Sequence, residues 1–204
     1  MLRARRVARA RVAGELGPVQ RFPVLENLSV AGDTVRAYRL EHGDRKCRMG
    51  MVVSFTAVTE AQLARLVAAP DSAWELLHES DSGKRGPSGY IDKAWAGLDY
   101  LFTRAGVGVD LFVDGEALGE DGELYAWSPA LVSATAATLK STPFATLAAH
   151  FDAVDMDERD IYPPIWKRDG DDIGLGYLGE NYTERVRFFV YAAKSGSGAV
   201  MSFG

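Results

Sequence analysis

Ile91–Gly106 reads IDKAWAGLDYLFTRAG. Its apolar residues are Ile91, Ala94, Trp95, Leu98, Leu101 and Phe102, which fall 3, 4, 7, 10 and 11 positions after the first. That spacing is one face of an α-helix. Asp92 stands at the start, where a carboxylate can accept backbone N–H groups and complement the helix dipole. Arg104 occupies the last turn, and Gly106 can close the helix. A stripe that holds Trp95 and Phe102 carries enough aromatic area to centre a core. The helix is therefore expected to be the hub against which the other elements pack.

Working outward, MGMVVSFTAVT holds a first strand over about Met51–Ala57, rich in β-branched and aromatic residues. Thr59 followed by Gln62 is a capping box, and Leu63, Leu66 and Val67 continue as a helical stripe that stops at Pro70. Ser72 with Glu75 repeats the pattern for a short helix to about Glu79. Ser80–Tyr90 reads as a loop. Beyond the hub, Val107–Val113 is a candidate strand. Asp114-Gly115 and Asp121-Gly122 are turn signals, with a strand at Leu124–Trp127. Ser128-Pro129 and Thr142-Pro143 each pair a capping residue with a proline suited to the first helical position. They are expected to open helices over Ala130–Lys140 and to about Phe151. Asp152–Asp172 contains Tyr162-Pro163-Pro164-Ile165-Trp166, which breaks any continuous helix. Leu178, Tyr182, Val186, Phe189, Val190 and Ala193 mark a long amphipathic helix, with glycines 174, 176 and 179 blurring its start. Ala199–Phe203 reads as a final strand.

The charge is unevenly spread. Residues 1–48 carry 11 Lys+Arg against 5 Asp+Glu, and the remaining residues 12 against 23, so a +6 extension precedes a −11 body. Such a body repels nucleic acid and membrane surfaces and favours basic partners. The composition break at Arg48 leads to two expectations: residues 1–48 form a poorly ordered basic extension or lie upstream of a natural start at Met49 or Met51, and the fold spans residues 49–204. No apolar run approaches the roughly 20 residues of a membrane helix. Cys47 is the single cysteine, which excludes an internal disulfide and a cysteine zinc cluster and fits a cytoplasmic protein.

The order of these motifs resembles the YfbM-like family of bacterial proteins, a domain of unknown function. The resemblance rests on MGMVVSFTAVTEAQL, IDKAWAGLDYLF, the Ser-Pro-capped helix and DIYPPIW with the helix after it, and it covers about Met49–Gly204. It implies a compact α+β domain, mostly helical, with a small sheet that brings the first and last strands together. It brings no catalytic residue and no cofactor.

Several constellations carry competing readings. On the hub, Asp92 and Asp99 lie seven apart, on neighbouring azimuths, and could serve as acid and base near Lys93 and Trp95. Their plain reading is a capping residue and a surface carboxylate around a core tryptophan. Tyr162 and Trp166 flank the prolines, either as a recognition edge or as plugs for the hub's apolar face. Candidate binding residues are thus Asp92, Trp95, Asp99, Tyr162 and Trp166. Asp152, Asp155, Asp157, Glu158 and Asp160 form the densest acidic cluster, a candidate face for a basic partner and otherwise a solvated surface. Asp169, Asp171, Gly174 and Glu180 match four positions of a calcium loop, but Ile173 and Gly176 break the template. His42, His78 and His150 are isolated. Serine-hydrolase, phosphate-loop and dinucleotide signatures are absent, and neither a catalytic residue nor a metal or other cofactor is expected. Two functions remain. One is a cytoplasmic protein-binding module engaging a basic protein, for example to neutralise a toxin. The other is a small-molecule enzyme or ligand binder with a cleft near the hub.

Overall fold

The computed structural model describes residues 50–81 and 86–204; the expectations for residues 1–48, with His42 and Cys47, lie outside the described residues. The first strand, β1, is Val53–Val58. Thr59 then forms the expected capping box: its hydroxyl accepts from the Gln62 N–H at 3.2 Å, and its own N–H donates to Gln62 Oε1 at 2.9 Å. Helix α1 runs Glu60–Ala68. A 3-10 turn at Pro70–Ser72 leads into α2, Ala73–Asp81.

The segment read as a loop up to Tyr90 ends in a two-residue strand, β2, at Gly89–Tyr90. Only glycine fits there, because a Cβ on Gly89 would lie 2.0 Å from the Phe55 carbonyl oxygen. Pairing then continues past β2. The Ile91 N–H donates to the Val53 carbonyl at 3.0 Å, and the Val53 N–H donates to the Asp92 carbonyl at 3.1 Å. These bonds hold Ile91 and Asp92 against the sheet, so the hub helix α3 starts later than its apolar spacing suggests, at Trp95–Ala105. Asp92 is therefore not the cap. That position falls to Ala94, which makes no side-chain cap bond. The far end is as expected: Gly106 is left-handed at φ 67°, and the Val107 N–H reaches back to the Phe102 carbonyl at 2.9 Å, a Schellman closure.

Val107–Val113 is not a strand. Asp110 Oδ1 accepts from the N–H groups of Phe112 and Val113 at 3.0 and 3.1 Å, and Asp114 Oδ2 accepts from the Asp110 N–H at 2.8 Å. Those side-chain bonds curl the segment into turns in place of a ladder. Strands β3 (Glu116–Leu118) and β4 (Leu124–Trp127) form a hairpin. Ser128 caps α4, Pro129–Ser141, accepting from the Leu131 N–H at 3.2 Å. Thr142 does not cap the next helix. Its hydroxyl donates backwards to the Thr138 carbonyl at 2.9 Å, and α5, Phe144–Ala148, starts after Pro143. Two short helices follow, α6 (Ala153–Glu158) and α7 (Trp166–Asp169).

Helix α8 spans Asp171–Lys194, 24 residues, with all three glycines inside it. Gly174 is there for close approach, since a Cβ would come 2.8 Å from the Phe151 ring. The calcium-loop template falls on helical backbone from Asp171 onward, which rules out the loop geometry it requires. The last strand, β5, is Gly198–Phe203.

The five strands pair antiparallel in the order β2-β1-β5-β4-β3. First and last strands are neighbours from Val53↔Phe203 to Val58↔Gly198 and lie inside the sheet. Successive side chains point to opposite faces, and both faces are covered. Phe55, Trp127, Met201 and Phe203 join a core with Leu98, Phe102, Leu139 and Phe189 of α3, α4 and α8. Val58, Leu124 and Val200 join a smaller core with Leu63, Leu66 and Leu77 of α1 and α2. The result is a single α+β domain with the hub under the sheet. No helix among the described residues is long and apolar enough to cross a membrane.

Candidate functional site

The junction between β2 and the hub helix concentrates polar side chains. Asp92 is held at φ 49°, a left-handed conformation in which Asp is tolerated better than most residues. Each of its carboxylate oxygens accepts a phenol: Oδ1 from the Tyr90 hydroxyl at 2.9 Å, Oδ2 from the Tyr177 hydroxyl at 2.9 Å. Burial, followed by that hydrogen bond, pushes the Tyr177 phenol well above its ordinary range. Its own hydrogen bond to Asp92, ahead of burial, raises the Tyr90 phenol. Tyr90 remains 48% exposed, so an aromatic face borders the carboxylate at the surface.

Trp95 lies beneath, 2% exposed, with its indole N–H donating to the Met51 carbonyl at 3.1 Å. Its ring packs on Phe203, Phe112 and Tyr162 at centroid distances of 5.2, 5.5 and 6.0 Å. Burial raises the Tyr162 phenol. Lys93 joins the cluster from the other side: a Cβ on Gly50 would sit 2.7 Å from Lys93 Nζ and 3.3 Å from the Tyr162 hydroxyl. Asp92, Trp95 and Tyr162 thus share one neighbourhood, with Tyr90 and Tyr177 as partners that periodicity did not single out. Residues 85 positions apart meet at the Asp92–Tyr177 bond, and no sequence spacing encodes that contact.

Trp166 belongs elsewhere. It is 0% exposed, its indole N–H donates to the Ile161 carbonyl at 2.7 Å, and its ring lies against Gly97 of the hub. It is a plug for the core, not a binding edge.

Asp99 does not pair with Asp92. It faces Arg185 of α8 and Asp110 of the turn after the hub. Burial, then Asp110, pushes its carboxyl up to about 7, against the pull of Arg185. Arg185 is 1% exposed, and among the described residues its Nε, Nη1 and Nη2 have no hydrogen-bond partner. Its guanidinium lies 4.8 Å from the centre of the Phe102 ring. Burial pushes Arg185 down to about 10 in spite of Asp99, Tyr182, Asp114 and Asp110. Asp99 is thereby an acid poised near neutrality beside a fixed positive charge. A signal for Arg185 exists in the sequence: it continues the stripe of Leu178, Tyr182 and Phe189, where a charged residue is out of place.

The five acidic residues of the candidate face divide. Asp152 caps α6, accepting from the N–H groups of Val154 and Asp155 at 3.0 Å each. Asp155 accepts from the Tyr100 hydroxyl at 2.8 Å and from Arg159 at 2.9 Å, with Arg104 at 3.6 Å. The Tyr100 bond, then the arginines, lower its carboxyl. Asp157 accepts from the Lys167 N–H at 3.2 Å. Glu158 and Asp160 remain exposed. Three of the five carboxylates therefore serve the fold. Among the described residues no group of three or more His, Cys, Asp and Glu is placed to hold a metal ion.

The comparisons bear on fold and kinship. A family model described as "Domain of unknown function (DUF1877)" matches residues 49–202. A crystal structure of YfbM from Escherichia coli, itself titled a protein of unknown function, superposes with a TM-score of 0.57 at 20% identity. It covers 75% of this chain and 99% of that one. No curated protein matches the sequence.

Proposed function

The chain belongs to the DUF1877 family of unknown function, and we propose that its domain is a binding module that takes a positively charged group of a basic protein partner at Asp92. The observation that carries this reading is the carboxylate itself, fixed by two phenols and bordered by the exposed Tyr90 ring. A carboxylate has room for further donors beyond two, and an aromatic face beside it adds cation–π attraction for Lys or Arg. Tyr is also a residue type that anchors interfaces. The −11 body supplies long-range attraction toward a basic partner. Glu158 and Asp160 extend the acidic surface, whereas Asp152, Asp155 and Asp157 act within the fold. A single cysteine in the chain supports a cytoplasmic setting.

The test is calorimetric titration with Lys- and Arg-rich peptides at low and high salt. Asp92→Asn keeps the shape and removes the charge, and is expected to weaken binding by about tenfold, or ~1.4 kcal/mol. Affinity should also fall with added salt, as for steered charge pairs. Equal binding by parent and variant would refute the reading.

A second reading is favoured by one observation, the near-neutral Asp99 beside Arg185. Such a pair suits general acid–base work on a small molecule. A thermal-shift screen of metabolites on the parent and Asp99→Asn checks it: a ligand that stabilises only the parent supports it, and identical profiles oppose it.

A further inference from the structure

Strand β3 is an outer strand of the sheet, paired with β4 on one side only. Backbone groups point to alternate sides along a strand. The Phe203 N–H donates to the Glu123 carbonyl at 2.8 Å. Glu123, Tyr125 and Trp127 therefore turn their backbone groups toward β5, and Leu124 and Ala126 turn theirs toward β3. Those two pair with Leu118 and Glu116. Ala117, between them, points its N–H and C=O away from the sheet. It is exposed, and neither group has a hydrogen-bond partner among the described residues.

An open strand edge is a template for a further strand, and charge selects which one. Between Arg104 and Lys140 the sequence has no Lys, Arg or His, whereas Asp110, Asp114, Glu116, Glu120, Asp121 and Glu123 all fall there. Asp114, Glu116, Glu120 and Asp121 are exposed. A second copy of this edge would set acid against acid, and like charges directly opposite destabilise a strand pair. A strand that carries Lys or Arg gains from the same arrangement. The two faces of β3 fix the pattern further. Leu118 is buried in the smaller core, and Glu116 projects from the same face. Ala117 projects from the other face, opposite Tyr125, which packs against the larger core. An apolar residue opposite Ala117, with a basic residue next to it opposite Glu116, matches both faces.

We infer that the edge of β3 takes an extended basic segment of a partner protein, alternating Lys or Arg with apolar residues, as an added strand bonded to Ala117 and paired in charge with Glu116. In such additions the main-chain bonds supply affinity and the alternate side chains supply specificity. This inference rests on the reading of a basic partner but on none of the residues around Asp92, so either surface can fail without the other.

The experiment is an amide ¹H–¹⁵N titration of the full chain with three capped hexapeptides. One alternates Arg and Val, one alternates Glu and Val, and one alternates Arg and Pro, which keeps the charge but cannot pair as a strand. The Arg-Val peptide is expected to shift the amides of Glu116, Ala117 and Leu118 saturably, with a dissociation constant of about 1 mM or tighter, and to bind more weakly at high salt. Ala117→Pro deletes the outward N–H and no bond to β4, a position where an edge strand accepts proline. It is expected to weaken binding by about tenfold or more, read at Glu116 and Leu118. Ala117→Val keeps the N–H and retains binding, which separates the lost bond from a disturbed strand. Glu116→Gln is expected to weaken binding by about threefold, the effect of one cross-strand charge pair. Absence of saturable shifts along β3 would overturn the inference. So would undiminished binding in Ala117→Pro, or binding of the Glu-Val or Arg-Pro peptide as tight as that of Arg-Val. Binding lost in Asp92→Asn and untouched by Ala117→Pro would overturn this inference and keep the reading of Asp92.

Discussion

Asp99 makes the stability of this domain fall as pH rises through the neutral range. Its carboxyl is pushed from an ordinary 3.8 up to about 7, chiefly by burial and secondly by Asp110, with Arg185 pulling the other way. The folded protein therefore holds this proton more tightly than the unfolded chain. By linkage, the associated stability is fully present below about pH 4 and is lost as pH climbs to about 7, after which it levels off. At about 1.4 kcal/mol for each tenfold change, the whole span comes to about 4 kcal/mol. Some 2–3 kcal/mol of that falls between pH 5 and pH 8. Asp155 and Asp169 are displaced downward, by the Tyr100 and Arg168 hydrogen bonds first, so their contributions are lost at lower pH and leave this window clear. The assay is urea unfolding followed by tryptophan fluorescence at pH 5, 6, 7 and 8, on the parent and on Asp99→Asn. The parent should lose about 2–3 kcal/mol across the series, while the variant stays flat and is the more stable of the two at pH 8. An amide needs partners of its own, at a cost of about 1–3 kcal/mol if it finds none, so the slope is the decisive quantity. A parent that is flat from pH 5 to pH 8, or a variant with the parent's slope, would refute the assignment of Asp99 as a partly buried acid with a raised pKa.

Further perturbations probe other parts of the structure. Trp95→Ala removes a ring that touches Phe112, Tyr162 and Phe203 and should destabilise by about 3–5 kcal/mol in chemical denaturation. Gly97→Ala puts a Cβ 2.7 Å from Trp166 and 2.8 Å from Leu178, and the overpacking should appear in the same assay as a loss of about 1–3 kcal/mol. Arg185→Met replaces a buried cation, which makes no side-chain hydrogen bond among the described residues, by an apolar side chain of comparable length. Its melting temperature at pH 5, where Asp99 is neutral, should equal or exceed the parent's, in line with gains of about 1–4 kcal/mol on replacing buried ionic groups. Ser128→Ala deletes the cap on the Leu131 N–H and should cost about 1 kcal/mol by urea titration.

The elements the sequence determined by itself are those governed by local chemistry. The Thr59 and Ser128 caps, the left-handed Gly106 and the apolar stripe of the hub depend on residues within a turn or two of one another, so their spacing is their geometry. The same holds for β1, β4 and β5, whose apolar character survives any choice of neighbour. Where local rules failed, a long-range contact had intervened. Asp92 has the chemistry of a cap, but Val53 captures the backbone on either side of it and turns its carboxylate over to Tyr90 and Tyr177. Gly174 and Gly179 weaken a helix in isolation, yet Phe151 and Phe144 press on them where a larger residue would clash, and α8 runs through. The acidic cluster at 152–160 was legible as charge but not as use, because its hydrogen bonds to Tyr100 and Lys167 come from other segments.

The candidate sites follow the same division. Residue type and position single out Asp92, Trp95 and Tyr162, and folding brings them together. Arg185 was hidden within an apolar stripe. Hydrophobic period, capping and turn chemistry are properties of neighbours along the chain, so the sequence alone determined the helices, the strands and the α+β class. Which carboxylate meets which phenol and which cation is buried are properties of neighbours in space. Only the packing of α3 and α8 against the five-stranded sheet decided those, because burial and convergence exist only once distant segments share a core.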